Sequence, residues 1–135
     1  MKKYSLFIIL AACIITTLSC RKYPIDDNGL LITENTICYM SSFNLLGSDN
    51  QTVLVTQPTF TNGLIDTVAC TVTAVAKFGT IITKVKPYCS LGANDMLVEP
   101  FMGVWTDFTQ PQSYTLISGT RNIRKKYTIT ITVQK

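Results

Sequence analysis

The chain has 135 residues with a formal net charge of +4, and it contains no histidine. Without histidine it lacks the commonest general base, the usual zinc ligand and the base of any Ser-His or Cys-His pair. Its eight carboxylates are scattered along the sequence, and no GxGxxG, P-loop or EF-hand spacing is present. We therefore expect no enzyme activity, no metal site and no cofactor.

The first residues have the pattern of a secretory signal. Lys2 and Lys3 precede an unbroken apolar run over residues 6–15, and the small residue Ser19 stands just before Cys20. A transmembrane helix needs about 20 apolar residues, which is more than this segment offers. The pattern resembles a bacterial lipoprotein signal, with the relaxed residues before the cysteine that Bacteroidetes use.

This resemblance implies that residues 1–19 are removed and that Cys20 carries a lipid anchor in the outer membrane. Cleavage before Cys13 is an alternative, but it would leave an apolar core of about five residues, below the usual 7–15. An ordinary signal peptide that leaves Cys20 as a free thiol also stays open. The 116 residues that remain suffice for one domain, and their net charge of +2 gives no reason to expect nucleic acid as a partner.

Residues 20–35 are predicted to be a lipidated tether and residues 36–135 a folded domain. The tether contains a proline, a glycine and the acidic pair Asp26 and Asp27, a composition that suits a solvated linker. Acidic residues close behind a lipidated cysteine also resemble the surface-export signals of Bacteroidetes lipoproteins. Either reading places the domain outside the lipid surface.

Period-2 alternation of apolar and polar residues predicts β-strands in the domain. Two weaker strands, 37–45 and 52–56, come first. A clearer strand over 68–78 follows, and Phe78-Gly79-Thr80 predicts a hairpin turn into a further strand over 81–89.

The second half of the domain continues this pattern. Weaker strands are predicted at 96–99 and 114–117, and the strongest at 127–133, where Tyr, two Ile and Val share one face opposite three threonines. Turn signals at 47–50, 62–63, 92–95 and 118–119 separate the strands. About seven short strands predict an all-β fold, an immunoglobulin-like antiparallel β-sandwich.

Three cysteines remain in the predicted domain: Cys38, Cys70 and Cys89. Because the chain is rich in residues that build a core, it does not depend on a disulfide framework, although one bridge among the three stays open. Cys70 alternates with Val68 and Val72 and is predicted to be a small buried hydrophobic residue on the same strand face.

Four cations lie within six residues near the C-terminus: Arg121, Arg124, Lys125 and Lys126. A run of this kind is usually a solvated hairpin tip. A docking patch for an acidic partner is the alternative reading.

Several segments together resemble a known family. They are 42–46, 81–93, 106–116 with its Asp-Phe-Thr and Tyr-Thr, and 126–133 with its Tyr-Thr-Ile-Thr. They resemble the immunoglobulin-like or cadherin-like sandwich domains of Bacteroidetes surface lipoproteins, over residues 37–133. The resemblance implies an accessory role beside SusC/SusD-type outer-membrane nutrient importers. Within it, Phe108 and Tyr114 are expected to bury their rings where the chain crosses between sheets.

The candidate binding residues are Trp105, Phe101 and Met102, which lie in one aromatic-rich loop. An exposed indole ring could stack on a sugar, but no polar cluster lies near Trp105 in the sequence. Packing or a protein interface is therefore favoured over glycan contact, and the Phe101–Met102 pair suits recognition of a partner.

Asp66-Thr67-Val68 fits the short O-glycosylation pattern of Bacteroidetes, which predicts Thr67 as a modified residue. A motif of three residues also arises by chance.

Two functions are consistent with the sequence. The favoured one is a non-catalytic accessory lipoprotein of a SusC/SusD-like complex for uptake of glycan or peptide. The alternative is a stand-alone surface module that binds glycan or peptide through Trp105. Neither involves nucleic acid.

Overall fold

The structure is a computed structural model that describes residues 23–135, so the signal segment and Cys20 lie outside the described residues. The chain divides into two compact units, 1–31 and 32–135. In the described part of the first unit, Ile25 and Leu31 form an isolated antiparallel bridge. The Asp26 carboxylate accepts hydrogen bonds from the N–H groups of Asn28 and Leu30, at 3.0 and 2.9 Å, and so closes the turn between them.

The second unit is built from seven strands in two sheets. They are β1 (Met40–Leu46), β2 (Ile65–Asp66), β3 (Thr71–Ala76), β4 (Lys86–Leu91), β5 (Leu97–Glu99), β6 (Gln112–Ile117) and β7 (Arg124–Val133). β1 and β4 form one sheet, and the other has the order β2-β3-β7-β6-β5. The predicted all-β sandwich of about seven strands is confirmed. Its immunoglobulin-like type stays a prediction.

β7 forms the centre of the larger sheet, and its alternation follows the sequence pattern. Tyr127, Ile129 and Ile131 are buried, whereas the threonines between them face outward. It pairs with β6 on one side in antiparallel register and with β3 on the other in parallel register. The strand predicted over residues 127–133 is therefore confirmed. Its two faces already differed clearly in the sequence.

The hairpin predicted at residues 78–80 is wrong. The turn exists, since Thr80 N–H donates to the Lys77 carbonyl at 3.1 Å. However, β3 pairs with β7 in the larger sheet and β4 pairs with β1 in the smaller one. The turn therefore carries the chain from one sheet to the other rather than between paired neighbours.

β3 also begins later than predicted. Val68 is 93% exposed, and Cys70, which has a positive φ of 55°, is half-buried beside the core instead of lying on a strand face. The reason is local: the Asp66 carboxylate accepts hydrogen bonds from Val68 and Ala69 N–H, both at 2.8 Å. This capping closes a turn over residues 67–70, so extended backbone resumes only at Thr71.

The predicted strand 52–56 is present only as isolated bridges. Thr52 bridges to Leu46 of β1, and Leu54 bridges to Ala76 of β3. Val53 N–H donates to the Leu45 carbonyl at 2.9 Å. This segment thus crosses from the edge of the smaller sheet to the edge of the larger one and ties the two together.

The core lies between the sheets. Its largest fully buried side chains include Tyr127, Phe43, Phe108, Met40, Leu45, Leu116 and Ile129. The rings of Phe43 and Phe108 are 6.4 Å apart and tilted, so the smaller sheet packs directly on the segment that leads into β6. Phe108 and Tyr114 are both buried, as expected from the sequence.

The chain enters the sandwich at the end where β6 turns into β7. Thr33 N–H donates to the Gly119 carbonyl at 3.0 Å. The Asp95 carboxylate accepts from the Thr33 hydroxyl and, at 3.0 Å, from the Asn35 side-chain amide. We call these four residues the anchoring end. The compact unit therefore begins at Ile32, ahead of residue 36, where the domain was predicted to start.

The opposite end of the sandwich holds the turns at 47–51 and 77–81. β7 runs away from the anchoring end for ten residues, about 33 Å of extended chain. Just beyond it, Gln134 N–H donates to the Ala76 carbonyl at 2.8 Å. We call this the distal end.

Candidate functional site

β4 and the residues just before it present three polar or aromatic side chains on one side. Val85 and Pro87 are buried in the core. Side chains alternate along extended backbone, so Lys84, Lys86 and Tyr88 lie on the outward side. Leu46 of β1 is the register partner of Lys86, which places Lys86 near the distal end.

A loop from the larger sheet completes this surface. After β5 the chain crosses over residues 100–106 to the free edge of β4. There Gly103 N–H donates to the Pro87 carbonyl and Thr106 N–H donates to the Val85 carbonyl, both at 2.8 Å. These bonds fix Trp105 beside the outward side chains of β4.

Gly103 allows the close approach of the loop. Its φ is +84°, and a Cβ there would lie 3.3 Å from the Tyr88 ring. A side chain at this position would meet both backbone strain and a crowded contact. The glycine thus lets the loop lie against Tyr88.

Trp105 and the two lysines form one cluster. The Lys86 ammonium lies 4.4 Å from the centre of the Trp105 ring, and the Lys84 ammonium lies 5.4 Å from it. Both distances are in the range of cation–π attraction. Trp105 remains 44% exposed and Tyr88 43% exposed. We call Lys84, Lys86, Tyr88 and Trp105 the basic–aromatic face.

The charge of this face is not neutralised within the described residues. Over residues 23–135, neither Lys84 nor Lys86 forms an ion pair; Lys86 also contacts the Asn50 side-chain oxygen at 3.5 Å. Beside the face, a cleft of about 370 Å³ is lined by Lys84, Ile81 and Asp49, among others. Asp49 is the carboxylate of that cleft, and it caps Gln51 N–H at 3.0 Å.

The structure separates the three predicted binding residues. Trp105 is in the cluster described above, and Phe101 is 84% exposed in the same loop. Met102, in contrast, is half-buried and packs against the core. Although no polar cluster lies near Trp105 in the sequence, the fold brings Lys84 and Lys86 to its ring.

Sequence reasoning missed Lys84, Lys86 and Tyr88. The signal was present, because Lys84-Val85-Lys86-Pro87-Tyr88 alternates outward and buried residues over a predicted strand. What the sequence did not show is that the loop bearing Trp105 would be hydrogen-bonded to that strand.

Thr67, the predicted glycosylation site, lies half-buried in the turn before β3. The turn is held by Asp66, whose pKa is lowered by hydrogen bonds from Ala69 and Val68 N–H. Val68 beside it is almost fully exposed. Modification of Thr67 stays a prediction, and so does lipidation of Cys20, which lies outside the described residues.

Cys38, Cys70 and Cys89 are free thiols. Burial raises the pKa of Cys89 to about 11. Burial also raises the pKa of Cys38, although Lys125 opposes the shift. Deprotonation is what makes a thiol reactive, so Cys38 and Cys89 are expected to be inert.

The basic run near the C-terminus is partly bound into the fold. Arg121 donates from one guanidinium nitrogen to the carbonyls of Asp95 and Ser118, both at 3.0 Å. Arg124 forms an exposed ion pair with Glu99 at 3.4 Å. Part of this run therefore stabilises the β6–β7 connection rather than forming a free patch.

Metal-binding clusters and membrane-spanning helices are both absent from residues 23–135. No group of three or more His, Cys, Asp or Glu residues there could hold a metal ion. Within the same residues, no helix has the length and apolar character to cross a membrane.

Comparison with solved structures shows a related fold. A crystal structure from Bacteroides thetaiotaomicron, named a "putative glycoside hydrolase", superposes with a TM-score of 0.61 at 24% sequence identity. The match covers 76% of this chain but only 27% of that protein, so the chain spans about a quarter of its length. No curated protein sequence matches the chain significantly.

Comparison with family models is more specific. The model described as "SGBP, N-terminal" matches residues 50–131, which include β2 to β6 and most of β7. This match covers more than half of the chain. The chain therefore belongs to the SGBP N-terminal family, that of Bacteroidetes surface glycan-binding proteins.

Proposed function

We propose that this protein is a non-catalytic, lipid-anchored surface subunit that binds glycan for a SusC/SusD-like uptake complex. The observation that carries the glycan contact is the basic–aromatic face: an exposed Trp105 ring with two cationic neighbours, on a chain of a surface glycan-binding family. Aromatic rings exposed at a surface are suited to stacking on the apolar faces of sugars. The loop and β4 hold the ring in place through backbone hydrogen bonds.

The direction of the chain supports this role. The last residues of the predicted tether, Thr33 and Asn35, join the sandwich at the anchoring end. Lys86 and Trp105 lie toward the other end. Within the sandwich, the basic–aromatic face therefore lies toward the end opposite to the one that residues 33–35 join.

Binding, rather than a reaction, also suits the acidic residues. Asp66 and Asp107 both accept backbone hydrogen bonds in turns, which lower their pKa values and keep them ionised. A carboxylate held in this way is a poor general acid near neutral pH. The sequence has no histidine to take that role.

The test is purification of the tagged full-length protein from its native outer membrane in mild detergent. We expect a porin-sized partner to co-purify. We also expect the Trp105→Ala variant to lose retention on polysaccharide-containing gels while keeping the partner. Emergence of the protein alone would contradict membership in an uptake complex.

A second candidate function is a stand-alone glycan-binding module. The same face supports it, since contact with Trp105 requires no partner protein. Purification without a partner, combined with glycan retention that depends on Trp105, would favour this function. A protein that neither binds glycan nor co-purifies with a partner would contradict both.

A further inference from the structure

We propose that the basic–aromatic face selects an acidic polysaccharide, one whose sugars carry carboxylate or sulfate groups. In this inference Lys84 and Lys86 bind the anionic groups, while Trp105 and Tyr88 contact the sugar rings. The inference rests on the proposed glycan-binding function and specifies the class of glycan.

The first argument is the position of the two ammonium groups. They lie 4.4 and 5.4 Å from the centre of the Trp105 ring, so they occupy space that a sugar stacked on that face would need. Displacing an ammonium from the ring loses its cation–π attraction. A neutral sugar offers the displaced cation only hydroxyl and ether oxygens, whereas an acidic sugar offers it a charge-assisted hydrogen bond.

The second argument is the lack of an internal counter-charge. Among residues 23–135, no carboxylate pairs with Lys84 or Lys86, whereas Arg124 is paired with Glu99. Two like charges held close to one ring repel each other, and an anion bound between them relieves that repulsion. The face is thus electrostatically complementary to an anion rather than to a neutral surface.

The third argument is spacing. Lys84 and Lys86 flank the bridged residue Val85, which sets their Cα atoms about 7 Å apart. A polymer that carries acidic groups on neighbouring sugars could therefore engage both lysines together. Asp49 lines the cleft beyond Lys84, so we expect the polymer to lie toward Lys86 and Tyr88 instead.

The test compares polysaccharides that differ only in charge. Polygalacturonate carries a carboxylate on each sugar, and its methyl-esterified form is the same polymer without that charge. Chondroitin sulfate supplies sulfate and carboxylate together, whereas dextran sulfate against dextran isolates sulfate. Affinity is measured by calorimetry and by retention in polysaccharide gels, at low and at raised salt, with the mature full-length domain.

The variants separate a local site from general attraction. Lys84→Gln with Lys86→Gln removes two charges from the face, and Lys126→Gln with Lys135→Gln removes two elsewhere. We expect the first pair to lower the affinity for polygalacturonate about tenfold or more, and the second pair to change it less than twofold. Trp105→Ala should also weaken binding, and Trp105→Phe should restore part of it.

The outcomes distinguish the inference from the function beneath it. Tighter binding of the charged polymer, lost in the Lys84/Lys86 pair only, supports the inference, and the two sulfated polymers identify which anion is preferred. Equal or tighter binding of the esterified polymer or dextran would overturn the inference but leave glycan binding intact. An equal loss in both lysine pairs would show non-specific attraction and overturn it. Retention of only an acidic protein, with no polysaccharide bound, would overturn both.

Discussion

The anchoring end and the basic–aromatic face are built in opposite ways. At the anchoring end, polar groups are paired with one another: Asp95 accepts from Thr33 and from Asn35, and Gly119 leaves no space beside them. At the basic–aromatic face, Trp105 is held in place through the backbone of its loop, its ring is 44% exposed, and no carboxylate of residues 23–135 pairs with Lys84 or Lys86.

The difference separates a part of the sandwich with internally paired polar groups from a part with exposed, uncompensated charge. Groups that are paired internally stabilise a geometry and have little left to offer a ligand. Groups that are oriented but unpaired retain their binding capacity. The anchoring end therefore fixes how the chain enters the fold, and the basic–aromatic face is where we propose that a ligand binds.

The largest expected effect follows from filling the space at Gly119. A Cβ there would lie 2.5 Å from an Asp95 carboxylate oxygen and would also overlap the Thr33 hydroxyl. Gly119→Ala should therefore lower the free energy of unfolding by about 2–3 kcal/mol, because the tightly packed network must shift. Urea unfolding followed by tryptophan fluorescence measures the change.

Gly63→Ala is a comparison variant that introduces backbone strain without any close contact. A Cβ at Gly63 meets nothing within 4 Å, but its φ is +74°. It should cost about 1–2 kcal/mol from backbone strain alone. Gly119 does not have a positive φ, so its loss cannot come from that strain. A loss below about 0.5 kcal/mol in Gly119→Ala would show that the close packing at the anchoring end contributes nothing.

The next substitution tests whether Asp95 holds residues 33–35 against the sandwich. Asp95→Ala removes the acceptor of Thr33 and Asn35 and should cost about 2 kcal/mol. The loss should be local: amide hydrogen exchange should quicken at Thr33, which bonds to the Gly119 carbonyl, and leave β7 protected. Glu34→Gln, at an exposed position in the same segment, is the control, and quickened exchange throughout β7 would contradict a local role.

A smaller effect concerns the inward side of β4, beneath the basic–aromatic face. The pKa of Cys89 is about 11 in the fold against a usual value of 9.0, because burial disfavours the thiolate. The folded state keeps this proton while the unfolded state loses it. The contribution of this thiol to the free energy of unfolding should therefore be fully present below pH 9. It should fall as the pH rises toward 11, by at most about 1.4 kcal/mol per pH unit.

Cys89→Ala should make that alkaline decline shallower. Part of the decline will remain, because burial also raises the pKa values of Tyr114 and Tyr127. Urea unfolding at pH 8 to 11 measures both slopes, with Ser90→Ala as a neighbouring control. Identical slopes in the wild type and Cys89→Ala would show that the thiol is hydrated.

The sequence predicted the fold best where a strand has two different faces. In β7 the alternation of Tyr127, Ile129 and Ile131 with threonines leaves one way to bury the apolar side. The turn at 78–80 was equally clear, but a turn does not reveal which strand its neighbour will join. β3 pairs instead with β7, where Thr71 meets Thr128, far away in the sequence.

Lys84 and Lys86 were absent from the predicted site for a similar reason. Trp105 and Phe101 were identified from composition, since large exposed rings in a loop are unusual. Lys84 and Lys86 belong to another element, and only the hydrogen bonds from Gly103 and Thr106 to β4 bring them to the ring. Contacts of this kind depend on tertiary structure, which local pattern does not encode.

The smallest expected effect on stability decides between packing and recognition at Trp105. A ring that is 44% exposed and contacts two lysines should cost less than about 1 kcal/mol when Trp105→Ala removes it. Phe101→Ala, at a still more exposed ring, should cost less again. Thermal unfolding followed by circular dichroism measures both, because the first variant has no tryptophan. A loss above about 2 kcal/mol would make Trp105 a packing residue and remove the main reason to place a ligand on this face. A small loss of stability together with abolished glycan retention would instead show that Trp105 acts in binding and not in folding.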